Sequence, residues 1–128
     1  MTVQVREGGR PSGLNRLVLA TQNSFKGIAG CYRNESAFRQ ETWAACVLVP
    51  LGLWLGRTGI ERLLLIGAVL LLMLVEILNS AIEVIVDRIS TERHPLSGYA
   101  KDLGSAAVFF ALLLLSSTWA LVLWDRLL

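Results

Sequence analysis

Thirteen apolar residues, Leu63 to Val75, lead directly into EILNSAIEVIVDR, which sets Glu76, Asn79, Glu83 and Asp87 at spacings of three, four and four. On a helix those spacings hold the four side chains within about 80° of one another, on a single stripe. An ionised group inside a bilayer is expensive, so such residues face a protein interior or an aqueous cavity and mark a functional path. Glu76 is the deep member of the stripe. The plainer alternative sets Glu83 and Asp87 at the cytoplasmic headgroup level, paired with Arg88 or Arg93, and leaves only Glu76 and Asn79 deep; it suits Asp87 better than Glu76. Further polar residues border the neighbouring apolar segments: Glu35 in RNESAFRQE, and Lys101, Asp102 and Ser105 in YAKDLGSAA. Carboxylates from two helices beside a lysine suit a divalent cation and an anion together, because magnesium is commonly held by one or two carboxylates plus substrate phosphates.

The elements that must position these groups are membrane helices. The chain has 128 residues, 54% of them hydrophobic, and its mean hydropathy is +0.56; it is a single domain too apolar for an ordinary soluble one. Residues 106 to 124 run nineteen positions without a charge, close to the roughly 20 residues that cross the hydrocarbon core. The Leu63 run reaches that length if its helix continues past Glu76 and Asn79 to about Ile85. A third crossing uses Trp43 to Leu55, which contains Pro50, together with the preceding ESAFRQET. Before these spans, residues 1 to 13 read as a flexible tail, and the single domain is expected over residues 14 to 128. From Leu14 the pattern is amphipathic: Leu14, Leu17, Val18, Thr21, Phe25, Ile28 and Ala29 share one face, and Asn15, Arg16, Gln22, Asn23 and Lys26 the other. Such a helix lies in the membrane interface or packs on protein, or does both.

Nine of the twelve basic residues fall before the first span or between the second and third, which predicts a cytoplasmic N-terminus and an outer C-terminus. No cleavable signal peptide is expected in the polar, glycine-rich first thirty residues. There is no basic patch interleaved with aromatics outside the apolar segments, so nucleic acid is not an expected partner. Cys31 and Cys46 have no companion at zinc-ligand spacing, and both read as inert thiols. Neither a Walker A pattern nor GxGxxG occurs. His94 is the only histidine and sits in a connection, which removes any Ser/His/Asp arrangement.

Three long segments carry a family signature: NESAFRQE at 34 to 41, EILNSAIEVIVDRI at 76 to 89 and HPLSGYAKDLGSAAV at 94 to 108. They resemble the prokaryotic diacylglycerol kinases, small integral-membrane lipid kinases, and the likeness extends from Arg16 to Trp124. The resemblance implies an all-α homotrimer of the bacterial inner membrane, each subunit having an interfacial N-terminal helix and three transmembrane helices, with a periplasmic C-terminus. It implies transfer of the γ-phosphate of MgATP to 1,2-diacylglycerol, giving phosphatidate. Glu76 matches the general base of that family, and Glu35 and Glu83 the carboxylates that hold Mg2+. Arg16, Asn23, Glu35, Glu83, Glu92, Arg93, His94, Lys101 and Asp102 match positions that hold ATP. Arg16, Ser24, Glu76, Asn79 and Ser105 match positions on the lipid acceptor. At two positions the chain departs from the pattern, with Asn23 and Arg93 standing where tyrosine is common.

Diacylglycerol keeps its hydroxyl near the headgroup boundary, so a base on a bilayer helix can reach it at the depth of Glu76. The carboxylates and Lys101 would then act by positioning and electrostatics on the moving phosphoryl group. Three other readings remain open from the residues: an undecaprenol kinase on the same scaffold, a small proton-coupled transporter using the buried glutamate as a relay, and a non-catalytic membrane assembly module.

Overall fold

The computed structural model describes residues 12–128, so the tail expected over residues 1 to 13 lies almost wholly outside the described residues. Four helices follow in order: α1 (Leu14–Asn34), α2 (Ser36–Leu55), α3 (Gly59–Ile89) and α4 (Pro95–Leu127). Gly13, at a φ of 64°, turns the chain into α1, a left-handed conformation that glycine adopts without penalty. Glu35 alone separates α1 from α2. Its backbone is extended and its N–H donates to the Cys31 carbonyl at 2.8 Å. Arg39, one turn into α2, reaches back and donates from one guanidinium nitrogen to the Tyr32 and Arg33 carbonyls, each at 2.9 Å. Those carbonyls have no partner within α1, so the arginine caps the end of the preceding helix.

Thr58, in the Gly56 to Thr58 connection, starts α3 by accepting the Glu61 N–H at 3.1 Å, and Glu61 Oε2 accepts from the Arg57 N–H at 2.7 Å. This is close to a capping box, with the glutamate reaching one residue further back. His94 starts α4: its Nδ1 accepts the Leu96 N–H at 3.1 Å, and Pro95 occupies the first helical position, where a missing N–H costs nothing.

α3 packs against each of the other three helices, most extensively α4 and then α2. Pairs across α3 and α4 recede in step from their connection: Asp87 with Lys101, Asn79 with Gly104, and Leu65 with Trp119. The two helices are therefore antiparallel over their full contact. Trp119 Nε1 donates to the Leu65 carbonyl at 3.1 Å and fixes the end remote from the connection. Gly52 of α2 meets this junction, where an added Cβ would lie 3.2 Å from the Leu65 Cβ and 3.6 Å from the Trp119 ring. Both glycines of GLWLG are buried, Gly52 inside α2 and Gly56 as its C-cap.

The buried side chains of α3 are Leu65, Ala68, Val69 and Leu72, then Glu76, Asn79 and Ser80. The stripe that is an apolar core in one half of the helix becomes polar in the other. At about 1.5 Å per residue, α3 and α4 exceed 45 Å. Among the described residues these two helices are long and apolar enough to cross a membrane. α4 in particular exposes Phe109, Phe110, Leu112, Leu113, Leu114 and Leu121, an apolar surface that suits lipid or protein rather than water. α2 has 20 residues, with Arg39 and Glu41 in its first half and Pro50 within it. The apolar face of α1 is mostly free, with Leu14 and Phe25 exposed; only its last turns, about Ala29 to Tyr32, pack on the rest of the chain.

Candidate functional site

Along the stripe of α3 the side chains grade from buried to exposed. Glu76 is 6% exposed, Asn79 9% and Ser80 8%; Glu83 is half-buried and Asp87 exposed. Asn79 meets α4 at Gly104, Glu76 meets α2 at Glu41 and Ser80 meets α1 at Cys31, whereas Asp87 pairs with a partly exposed lysine at the connection. Asn79 is held against α4 at Gly104, where an added Cβ would collide with Asn79 Oδ1. The amide oxygen itself has no hydrogen-bond partner. Ser80 faces α1 instead, and Cys31 Sγ donates to its hydroxyl at 3.7 Å. The thiol is thus a packing contact between α1 and α3. Burial pushes the Cys31 thiol above the ordinary cysteine range, outweighing the opposing hydrogen bond to Ser80.

Glu76 has three carboxylate neighbours. Glu41 of α2 lies beside it, and Glu35 and Glu83 are near enough for their charges to act on it. Glu41 Oε2 is buried without a hydrogen-bond partner. Two adjacent carboxyls can hold and pass a proton between them. Glu41 stood in the NESAFRQE segment without a role. Its spacing of three from Phe38, the buried residue of that turn, is the signal that would have turned it inward.

Toward the end of α3 a cleft of about 560 Å³ opens between Val86 and Lys101, with Glu92, Arg93 and His94 also lining it. Asp87 and Lys101 close one side as an ion pair of 2.8 Å. The partner of Asp87 is therefore Lys101, not Arg88 or Arg93, because the antiparallel crossing brings residues fourteen apart face to face. Glu83 acts on the same ammonium by charge. A lysine, an arginine and a histidine around a cleft of this size offer donors to an anionic ligand, and the Asp87 carboxylate accepts from the lysine.

The site residues expected from sequence thus fall into two groups. Glu35, Glu76 and Glu83 come together near Asn79, and Glu92, Arg93, His94 and Lys101 gather at the adjoining cleft. Arg16, Asn23 and Ser24 lie along α1, with the Ser24 hydroxyl donating to the Ala20 carbonyl at 2.9 Å; Asp102 and Ser105 are exposed on α4. None of those five lines the cleft. Ser105 follows Gly104, and one helical step turns it away from Asn79. Among the described residues no three of His, Cys, Asp and Glu gather closely enough to hold a metal by themselves. Glu35 and Glu83 each lie near enough to Glu76 for their charges to act on it, and two such carboxylates would fit magnesium only where a ligand and water complete its shell.

Residues 22–123 match the family described as prokaryotic diacylglycerol kinase. The chain is 50% identical over 114 residues to the diacylglycerol kinase of Haemophilus influenzae, covering 89% of this chain and 97% of that protein. It is 50% identical over 115 residues to that of Escherichia coli strain K12, covering 90% and 94%, and 38% identical over 110 residues to that of Helicobacter pylori strain 26695, covering 86% of each. With most of its length matched and its buried carboxylates beside an anion-accepting cleft, the chain belongs to the prokaryotic diacylglycerol kinase family.

Proposed function

We propose that this chain transfers the γ-phosphate of MgATP to the free hydroxyl of 1,2-diacylglycerol, yielding phosphatidate and ADP. The observation that carries the reading is Glu76, a carboxylate buried where the core stripe of α3 turns from apolar to polar. Glu76 takes the hydroxyl proton as the acceptor oxygen bonds to phosphorus and the bond from phosphorus to the bridging oxygen of ADP breaks. Asn79 holds the acceptor hydroxyl. An apolar groove of about 360 Å³ beside it, lined by residues including Ile28, Phe38, Met73 and Ile77, has the character an acyl chain requires. Arg93, His94 and Lys101 hold the phosphate chain from the cleft. Glu35 and Glu83 would hold Mg2+, which when bound neutralises phosphate charge.

The working protein is a homotrimer of the bacterial inner membrane, residues 14–128 forming its one domain. In this reading α2, α3 and α4 all cross, α1 lies in the interface, the N-terminus is cytoplasmic and the C-terminus periplasmic. The nine basic residues on one side and the free apolar faces of α1 and α4 support that arrangement. The exposed positions of Arg16, Ser24, Asp102 and Ser105 support a site completed by a neighbouring copy. The test is transfer of labelled phosphate from ATP by the purified chain in mixed micelles, with diacylglycerol and undecaprenol offered separately. Labelled phosphatidate is expected; an intact protein that labels neither lipid, or only undecaprenol, refutes the reading.

A further inference from the structure

We propose that Asp87 is a positioning residue for phosphoryl transfer: its carboxylate keeps one N–H of the Lys101 ammonium at the mouth of the cleft while the other two turn to the incoming phosphate oxygens. The inference rests on the kinase reading above and assigns a role to a residue outside the matched site positions. The two groups meet at 2.8 Å across the α3–α4 connection, with side chains 44% and 57% exposed for Lys101 and Asp87 respectively. Both line the same cleft as Glu92, Arg93 and His94.

An ion pair this wet is screened by solvent and adds little to fold stability. Its effect lies in geometry. A free lysine side chain samples many rotamers, and an anchored one keeps its charge at one place. The single contact also leaves two of the three ammonium N–H groups to a triphosphate, which carries more negative charge than one carboxylate and draws on the same ammonium. Asp87 therefore orients Lys101 before nucleotide arrives and competes with the nucleotide for it. Those two effects have opposite signs in kinetics. Removing the carboxylate loosens the ammonium in the transition state, which lowers turnover; it also removes a competitor and a repelling charge, which strengthens nucleotide binding.

The experiment compares full-length wild type, Asp87→Asn and Asp87→Glu in mixed micelles, measuring kcat, KM for MgATP and thermal midpoint. For Asp87→Asn, kcat is expected to fall roughly tenfold while KM for MgATP falls rather than rises and the midpoint stays unchanged. Asp87→Glu should recover most of the lost turnover. Unchanged kcat in Asp87→Asn overturns the proposal. So does a loss of turnover with KM unmoved or raised, or one that tracks a lower midpoint, since each marks a structural role. A wild-type chain that phosphorylates no diacylglycerol overturns the kinase reading and this inference with it; normal wild-type transfer beside an unaltered Asp87→Asn overturns the role of Asp87 alone.

Discussion

Replacing Gly104 by alanine places a methyl group in the contact between α3 and α4. The added Cβ collides with Asn79 Oδ1 and lies 3.1 Å from its Cγ, whereas the Asn79 Cβ is at 3.8 Å, an ordinary contact. Asn79 is 9% exposed, so its amide cannot swing freely into solvent. Overpacking of this kind costs about 1–3 kcal/mol, and exchanging glycine for alanine within a helix returns about 1 kcal/mol. The net is a loss of about 0–2 kcal/mol in the native background. Truncating Asn79 to alanine removes the collision and leaves the helix gain, so the same substitution should then stabilise by about 1 kcal/mol. The assay is the thermal midpoint of the purified protein in one detergent for Gly104→Ala, Asn79→Ala and the double variant. Gly67→Ala serves as control, because nothing lies within 4 Å of a Cβ there. The midpoint should fall with Gly104→Ala alone and rise when it is added to Asn79→Ala. Equal shifts in both backgrounds would mean additivity and would refute the claim that Gly104 exists to admit the Asn79 amide.

Glu76→Gln should reduce transfer at least about 100-fold, the scale of a lost general base, with MgATP affinity nearly intact, whereas Glu83→Gln should weaken MgATP binding and turnover together. Magnesium-dependent binding lost in Glu76→Gln and kept in Glu83→Gln would swap the two roles. With Cys46 replaced by alanine, alkylation of Cys31 should reach half its maximal rate at a higher pH than free cysteine, because burial raises its pKa and thins the thiolate; a profile matching free cysteine would show the thiol is not buried on α3. The variant lacking both thiols should keep its phosphotransferase activity.

The stripe from Glu76 to Asp87 was legible because helical spacing alone fixes which side chains share a face, and Glu76 and Asn79 are indeed buried on it. The Gly56 to Gly59 connection is legible from its glycines, whereas STERHPLSG reads as one turn from Ser90 to Gly98 although α4 already begins at Pro95. What spacing cannot supply is the rotation of one helix against another. Glu41 sits on α2, and only the docking of α2 on α3 turns it toward Glu76. Asp87 had two arginines near it in sequence, and the crossing of α4 selected Lys101. Gly104 gave no sign of its partner, since the need for a missing side chain arises in the neighbour, Asn79. The third crossing was read from Trp43 to Leu55 with a polar extension, and that extension is what keeps α2 less apolar than α3 and α4.

The cap that begins α4 settles which half of an imidazole remains for other work. With Nδ1 accepting the Leu96 N–H, a neutral His94 must carry its proton on Nε2. A ring in that tautomer has a proton to give and no second lone pair to offer. His94 is therefore set up to meet an oxygen of an anion, and it cannot ligate a cation without surrendering the first turn of its own helix. A serine or asparagine in its place could begin the helix equally well, but neither would present an aromatic N–H at that reach, so helix initiation and ligand recognition make separable demands on one residue.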